Sequence, residues 1–68
     1  MREFRLKDDF IKLGQLLKAT GLVSTGVDAK FVIQDGEVEV NGCVCTQRGK
    51  KIISGDIVTY NGEQIKCL

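Results

Sequence analysis

Apolar residues recur at helical spacing in the first half of the chain. Four residues follow the i, i+3, i+4, i+7 pattern of one helical face: Leu13, Leu16, Leu17 and Thr20. This pattern predicts a first helix over about residues 12–20, ended by Gly21. Gly14 inside that helix costs about 1 kcal/mol relative to alanine. A neighbouring backbone that passes close to Gly14 would explain the glycine.

A second helix is predicted from about residue 26 to residue 34. Thr25 is followed three residues later by Asp28, which resembles a capping box with a shorter acid than usual. The predicted buried stripe of this helix is Ala29, Val32 and Ile33. Gly36 lies where a left-handed C-terminal cap is expected.

After Gly36 the hydrophobic period changes from 3.6 to 2, which is typical of strands. The stretch "EVEVNGCVC" predicts a hairpin that turns at Asn41-Gly42, with Val40 opposite Cys43 and Val38 opposite Cys45. The stretch "DIVTYNGEQIKC" repeats the pattern around a second Asn-Gly pair and sets Val58 opposite Ile65. Near the start, the alternation in "REFRL" predicts a short edge strand.

These elements predict an α+β fold: two helices followed by a small, mostly antiparallel sheet of two hairpins, with an N-terminal edge strand. A chain of 68 residues is expected to form one domain over residues 1–68 with a thin core. A deep, composite active site is not expected in such a core, so a binding module is the default interpretation. No apolar run reaches the roughly 20 residues of a membrane span, and "MREFRLKDDF" lacks a secretory apolar stretch.

The three cysteines and the absence of histidine bear on metal and redox chemistry. A structural zinc site needs four ligands, whereas Cys43, Cys45 and Cys67 supply three. The hairpin registers also explain Cys45 and Cys67 as small core-facing residues. We therefore expect free thiols, no metal and no cofactor in a reducing cytoplasm, with a thiol or metal sensor as a minor alternative.

Positive charge is concentrated in one segment, "TQRGKK", which we call the basic loop (residues 46–51). The chain has ten basic and nine acidic residues, and a net charge of +1 excludes a strongly basic, histone-like chain. Three cations nevertheless lie within four positions of the loop: Arg48, Lys50 and Lys51. No acidic residue occurs between Val40 and Gly55. Arrangement rather than net charge therefore indicates an electrostatic function.

The start of the second helix offers a matching anion site, because unpaired backbone N–H groups and the helix dipole favour negative charge there. Ser24, Thr25 and Gly26 form this start, and Lys30 follows one turn later. Lys12 and Lys18 extend the positive surface, since residues 10–27 contain no acid. The plainer interpretation is that the hydroxyl groups cap the helix and the lysines are solvated. Combined with the basic loop, the pattern favours a polyanion site.

The motifs "LGQLLKATGLVSTGVDAKFVIQDGEVEVNG", "RGKK" and "SGDIV" resemble the S-four RNA-binding domain, also called the alpha-L motif. The matching features are a leucine-rich first helix, a serine turn, an alanine-lysine pair, a valine-x-valine-asparagine-glycine hairpin and a glycine-aspartate turn. They fall at residues 13–18, Ser24, Ala29-Lys30, residues 36–42 and Gly55-Asp56. The match covers about residues 10–60 and is most similar to short stand-alone bacterial members of the family.

The resemblance implies a protein that binds structured RNA, either ribosomal or transfer RNA, with ribosome assembly or rescue as its setting. Because the chain has no histidine and nothing that resembles a nucleophile and base pair, we expect a protein that is not an enzyme. The implied RNA-binding residues are Ser24, Thr25, Gly26, Lys30, Arg48, Lys50, Lys51, Lys18 and Lys12. Two departures predict a weaker site than in the most basic relatives: Thr25 replaces a common arginine, and so does Gln47. We expect a monomer with RNA or ribosomal particles as its partners.

The alternative is a protein-interaction module of the same fold, which would dock a protein partner through its strand edges and Phe4 or Phe31. Phe31 lies off the buried stripe of the second helix, so a stacking role beside Lys30 is also open. The few aromatic residues argue against a single-strand binder, which uses exposed aromatic platforms.

Overall fold

The computed structural model describes all 68 residues, as two helices and seven short strands. In chain order the elements are β1 (Arg2–Phe4), β2 (Ile11–Lys12), α1 (Leu13–Ala19), α2 (Gly26–Gln34), β3 (Val38–Val40), β4 (Cys43–Val44), β5 (Lys51–Ile52), β6 (Ile57–Tyr60) and β7 (Glu63–Cys67). Both helices agree with their predicted positions, and neither is long and apolar enough to cross a bilayer.

Five strands form one sheet in the order β1-β7-β6-β3-β4. All of its neighbours are antiparallel except β1 and β7, which are parallel. The predicted α+β class, the two hairpins and the N-terminal edge strand are confirmed. A second sheet, in which β2 pairs with β5, was not predicted. Each of its strands has only two residues, too few to produce a readable alternation.

Both predicted hairpin registers are present, with Val40 opposite Cys43 and Val58 opposite Ile65. In the first turn, φ is 53° at Asn41 and 82° at Gly42. Positive φ at both central residues defines the type I′ turn, whose twist matches that of antiparallel strands. The second Asn-Gly pair has the same conformation.

The core lies between the two helices and the larger sheet. Twelve buried apolar residues form it: Leu13, Leu16, Leu17, Val23, Ala29, Ile33, Val38, Val40, Ile52, Val58, Ile65 and Cys67. The predicted stripe of α1 is confirmed by its three fully buried leucines, and Thr20 is half-buried at its end. On α2, Ala29 and Ile33 are fully buried, whereas Val32 packs half-buried against the core.

Both ends of α2 follow the sequence prediction. The Thr25 hydroxyl oxygen accepts a hydrogen bond from the Asp28 backbone N–H at 3.1 Å, which makes Thr25 the N-cap. Beyond the other end, Gly36 has a φ of +77°, a conformation that favours glycine. Residues within a few positions of each helix end therefore determine where α2 begins and ends.

The cysteines differ in exposure along the two hairpins. Cys67 is fully buried and Cys45 packs half-buried against the core, which confirms their predicted packing role. Cys43 has the predicted register but is exposed, because β4 is the last strand of the sheet. Burial, and secondly the charge of Asp56, raises the pKa of the Cys67 thiol. No three potential ligand residues lie close enough together to hold a metal ion.

Candidate functional site

The basic loop packs directly on the start of α1. Lys12, the N-cap position, makes no side-chain capping bond. Instead, the Leu13 N–H donates to the carbonyl of Lys50 at 2.9 Å, and the Gly14 N–H donates to the carbonyl of Arg48 at 3.1 Å. The loop therefore satisfies two amide groups that a helix start leaves without an intrahelical partner.

Gly14 permits this close approach. The sequence predicts a neighbouring backbone there, and the Arg48 carbonyl oxygen is 3.7 Å from the Cβ position, but side-chain atoms of Arg48 lie closer. A Cβ atom at Gly14 would lie 2.7 Å from Cγ and 3.3 Å from Cδ of Arg48. Separations below about 3 Å require atoms to move. Because glycine has no Cβ, this position leaves room for the Arg48 side chain to pack against the surface of α1.

Two helices and the basic loop surround a hollow of about 350 Å³. We call it the glycine hollow, because its lining includes three glycines: Lys12, Gly14, Gln15, Lys18, Gly26, Ala29, Arg48 and Gly49. Three of the eight residues are cations, and none is acidic. The other side chains are absent or small, apart from Gln15. We call the small residues the floor of the hollow and the three cations its rim; Gly26 and Gly49 of the floor are accessible, whereas Gly14 and Ala29 are buried.

The predicted site residues fall into three groups. Four of them line the glycine hollow: Lys12, Lys18, Gly26 and Arg48. Lys50 and Lys51 line a different concavity on the β4 side of the basic loop. Ser24, Thr25 and Lys30 are exposed and line neither. The start of α2 and the basic loop thus share one surface, to which Gly26 and Arg48 are the predicted site residues that these two segments contribute.

Two of the predicted residues already make contacts within the protein. The Lys51 ammonium lies 4.8 Å from the ring centroid of Phe10, a cation–π geometry. The hydroxyl oxygen of Thr25 caps α2, so this group serves the helix first. Phe31 is 58% exposed and does not line the hollow. These contacts make Thr25 and Lys51 weaker candidates than the cations of the hollow.

The cations of the glycine hollow have no acidic partner within the protein. The structure contains one ion pair, between Arg2 and Glu63 at 3.2 Å. Asp28 is an acidic residue in the first turn of α2, where its charge reduces the attraction of the helix start for an anion. Since Asp28 does not line the hollow, three uncompensated cations dominate there.

Comparison with known protein families identifies the family to which this fold belongs. A family model described as S4 domain matches residues 4–67. The chain belongs to the S4 domain family. This is the S-four family that the sequence motifs resemble.

Two relatives and one solved structure are similar to this S4 domain over most of their own length. It is 35% identical over 62 residues to the candidate RNA-binding protein YbcJ of Escherichia coli (strain K12). The matched residues make up 91% of this chain and 89% of the relative. It is 37% identical over 54 residues to RlbA, a candidate ribosome maturation protein of Bacillus subtilis (strain 168). Those residues make up 79% of this chain and 76% of RlbA.

The solved structure is the solution structure of E. coli YbcJ, described as revealing an alpha-L motif involved in RNA binding. It matches with a TM-score of 0.76 at 35% sequence identity, over 100% of this chain and 87% of the other. The fold class and the family resemblance are both confirmed by this match.

Sequence reasoning missed four lining residues of the hollow in this S4 domain: Gly14, Gln15, Ala29 and Gly49. A signal for Gln15 was available, because Lys12, Gln15 and Lys18 recur every three residues on the side of α1 away from its leucine stripe. Gly49 carried no such signal. Its position depends on how the basic loop folds back onto α1.

Two residues of the family motifs have a structural role in this S4 domain. The Asn41 side-chain amide donates to the Asp56 carboxylate at 3.0 Å, and the Ile57 N–H donates to the Asn41 side-chain oxygen at 2.9 Å. The second Asp56 oxygen accepts from the Ile53 N–H, also at 2.9 Å. This network ties the first hairpin turn to the segment before β6.

Proposed function

We propose that this S4 domain binds structured RNA by holding backbone phosphates in the glycine hollow. The observation that carries the proposal is the convergence of Lys12, Lys18 and Arg48 around a floor of glycine backbone. Two segments far apart in sequence supply these cations, so the folded chain concentrates charge that the net value of +1 conceals. Phosphates are the ligands that such uncompensated cations attract.

The floor of the hollow supports a phosphate ligand in particular. Gly26 is the first residue of α2, and its N–H group and that of Val27 make no hydrogen bond within the protein. Free amides at a helix start are ready donors for phosphate oxygens. Without a Cβ at Gly26, nothing lies within 4 Å of that position, so a phosphate can approach the backbone.

The shape of the surface favours double-stranded or junction RNA, such as ribosomal or transfer RNA. Phosphate contacts position a ligand without reading its sequence, and RNA helices are recognised largely by shape and backbone. The names of the relatives, one an RNA-binding protein and one a ribosome maturation protein, support RNA and the ribosome as partners. We extend the proposal to ribosome assembly or rescue on this basis.

We propose further that the protein acts by binding alone. No polar or charged side chain is buried. Catalytic acids, bases and nucleophiles are usually activated by a desolvated setting that shifts their pKa values. Since such a setting is not built around the hollow, positioning of RNA is the activity that its geometry supports.

The test is binding to a labelled structured RNA across a salt series. The variant carries Lys12→Ala, Lys18→Ala and Arg48→Ala together. Each lost phosphate contact is expected to reduce the slope of log K against log salt by about 0.7 to 0.9. Loss of all three should reduce the slope by about 2 and lower the affinity at low salt by at least about tenfold.

The matched control carries Arg5→Ala, Lys7→Ala and Lys66→Ala, three exposed cations outside the hollow. Both variants change the net charge from +1 to −2, because three positive charges are removed from each. The proposal requires the control to keep most of the affinity and slope. Equal losses of affinity in the two variants would show that RNA binding depends on net charge and not on the hollow. If the wild-type protein had no affinity for RNA, the proposal of RNA binding would be refuted.

A further inference from the structure

The far side of the basic loop carries a second concavity, larger than the glycine hollow. It has a volume of about 520 Å³ and lies between β4 and the segment from Lys50 to Ile53. We call it the β4 groove; its lining comprises Val40, Asn41, Cys43, Val44, Cys45, Thr46, Gln47, Lys50, Lys51, Ile53 and Asp56. The proposed RNA contact does not use this surface.

One wall of the β4 groove is an open strand edge. In an antiparallel pair, residues alternate between those that exchange hydrogen bonds and those whose N–H and C=O point away from the partner. The turn is closed by the pair Val40–Cys43, and the Cys45 N–H donates to the Val38 carbonyl at 3.0 Å. Val44 lies between these two bonded positions. Its N–H and C=O therefore face outward, where no strand follows.

The free edge continues beyond β4 itself. Thr46 makes no backbone hydrogen bond, and it falls on the same alternate set as Val44. Residues with outward N–H and C=O groups can pair with an extended strand of a partner.

The opposite edge of the sheet is protected. There, β1 and the residue after it carry Arg2, Glu3 and Arg5, and charged side chains discourage strand addition. The residues from Cys43 to Thr46 carry no charge, and Val44 is 60% exposed. The sheet is thus closed to strand addition at β1 and open to it at β4.

The other wall of the groove selects the charge of an incoming strand. Lys50 and Lys51 line it, and neither has an acidic partner, although the Lys51 ammonium also contacts the Phe10 ring. Asp56 is the one carboxylate in the lining, and both of its oxygens already accept hydrogen bonds. Ile53, which is 52% exposed, adds an apolar contact. An occupant that alternates acidic and apolar side chains would match this lining.

We propose that the β4 groove binds an extended acidic peptide, which adds as a strand beside β4. The partner is therefore a protein segment that is rich in Asp or Glu and alternates with apolar residues. A second copy of this chain fits less well, because pairing two β4 edges would bring Lys50 and Lys51 of both copies together. RNA fits less well too, because the edge offers apolar contacts and a strand-like row of donors and acceptors.

The experiment uses the peptide Gly-Ser-Glu-Val-Glu-Val-Glu-Ser-Gly and the full chain labelled with ¹⁵N. Amide hydrogen exchange is followed by NMR with and without the peptide. Val44 and Thr46 amides, which are open in the free protein, should become protected, since pairing shields them from water. The same peptide with lysine in place of each glutamate should bind at least about fivefold more weakly, because it meets like charge.

Val44→Pro is the decisive variant. Proline is tolerated on an edge strand where the missing N–H faces solvent, so pairing with β3 should survive. Loss of that donor should weaken peptide binding about fivefold, which corresponds to one hydrogen bond, while RNA affinity stays unchanged. Val44→Thr keeps the amide and should bind the peptide as the wild type does, within about twofold.

Several outcomes would overturn the proposal. These are absence of peptide binding, equal binding of the lysine peptide, or protection that spares Val44 and Thr46. Protection of the same amides at rising protein concentration without peptide would assign the edge to self-association instead. RNA that protects those amides would assign the groove to RNA. Because RNA affinity is measured on the same variants, failure here leaves the proposed RNA function separately testable.

Discussion

The glycine hollow and the β4 groove lie on two sides of one basic loop. Both carry cations, but their other lining residues differ. The hollow has a floor of glycine and alanine and a rim of three cations. The groove has an open strand edge and exposed apolar side chains beside two cations. Positive charge attracts an anion to both surfaces. The lining beside the charge then decides whether a phosphate or a peptide strand fits, since the hollow offers the free amides at the start of α2 and the groove offers a free strand edge.

Gly14→Ala should separate the two surfaces most clearly. The new Cβ would lie 2.7 Å from Cγ of Arg48, so the Arg48 side chain must move away from α1. We expect RNA affinity to fall about tenfold, or about 1.4 kcal/mol, while the acidic peptide still binds the groove. Global stability should change by less than about 1 kcal/mol, because the better helix propensity of alanine offsets the displacement.

Ala19→Gly serves as the control, because it places a single glycine change elsewhere on α1 and outside the hollow. It should weaken the helix without affecting RNA affinity at temperatures where the protein is folded. If Gly14→Ala bound RNA as tightly as the wild type, the position of Arg48 against α1 would not matter for RNA.

Asp56→Ala should act on the other surface, with a smaller effect. Its carboxylate accepts hydrogen bonds from the Asn41 side chain and the Ile53 N–H. Because both bonds are near the surface, their loss should cost about 1 kcal/mol of the free energy of unfolding, as measured by urea denaturation. Peptide affinity should fall as the groove wall loosens.

RNA affinity should stay within about twofold of wild type for Asp56→Ala, because no residue of the hollow contacts this network. Asp35→Ala removes a carboxylate of the same type from the exposed end of α2 and should leave stability unchanged. Equal destabilisation by the two variants would mean that the Asp56 network contributes nothing beyond its charge.

The two surfaces also differ in how far the sequence could predict them. Local patterns predicted both helices, both Asn-Gly turns and the registers around Val40 and Val58, because each depends on residues within a few positions. The start of α1 is capped by the carbonyl groups of Lys50 and Arg48, which are more than 30 positions away. No capping residue near the start of α1 could therefore be recognised from the sequence. The same long-range contact forms the hollow. Lys12, Lys18, Gly26 and Arg48 were each chosen from sequence, but their shared surface follows from Gly14 and the docked loop.

The β4 groove was hidden from sequence for a different reason. The predicted register placed Cys43 opposite Val40 on one face of the hairpin, and that register is present. Whether a strand is the last in its sheet depends on topology, since β3 pairs with β6 on one side and β4 on the other. Alternation of side chains does not encode that order. An open edge therefore becomes visible only in the folded chain.

The smallest effect that we predict is a pH dependence of stability that arises from Cys67 and Asp56, near the wall of the β4 groove. Cys67 is buried beside Asp56, and its backbone N–H donates to the Asp56 carbonyl at 2.9 Å. Burial first, and the Asp56 charge second, raises the pKa of the Cys67 thiol above that in the unfolded chain. Above the ordinary thiol value of about 8.5, the unfolded chain loses a proton that the folded chain keeps. The free energy of unfolding must therefore fall as pH rises through and beyond that value.

Urea denaturation between pH 7 and pH 10 measures this loss. Cys67→Ala should remove its own share of the alkaline slope, and Asp56→Asn should remove only the smaller, electrostatic share, since burial of the thiol remains. Cys43→Ala is the matched control, because it removes a cysteine side chain that is exposed. An unchanged slope in Cys67→Ala would mean that its thiol ionises as readily in the folded chain as in the unfolded one. Because Lys12, Lys18 and Arg48 do not surround Cys67, variants of the hollow should leave the slope intact, which keeps the two sides of the basic loop experimentally distinct.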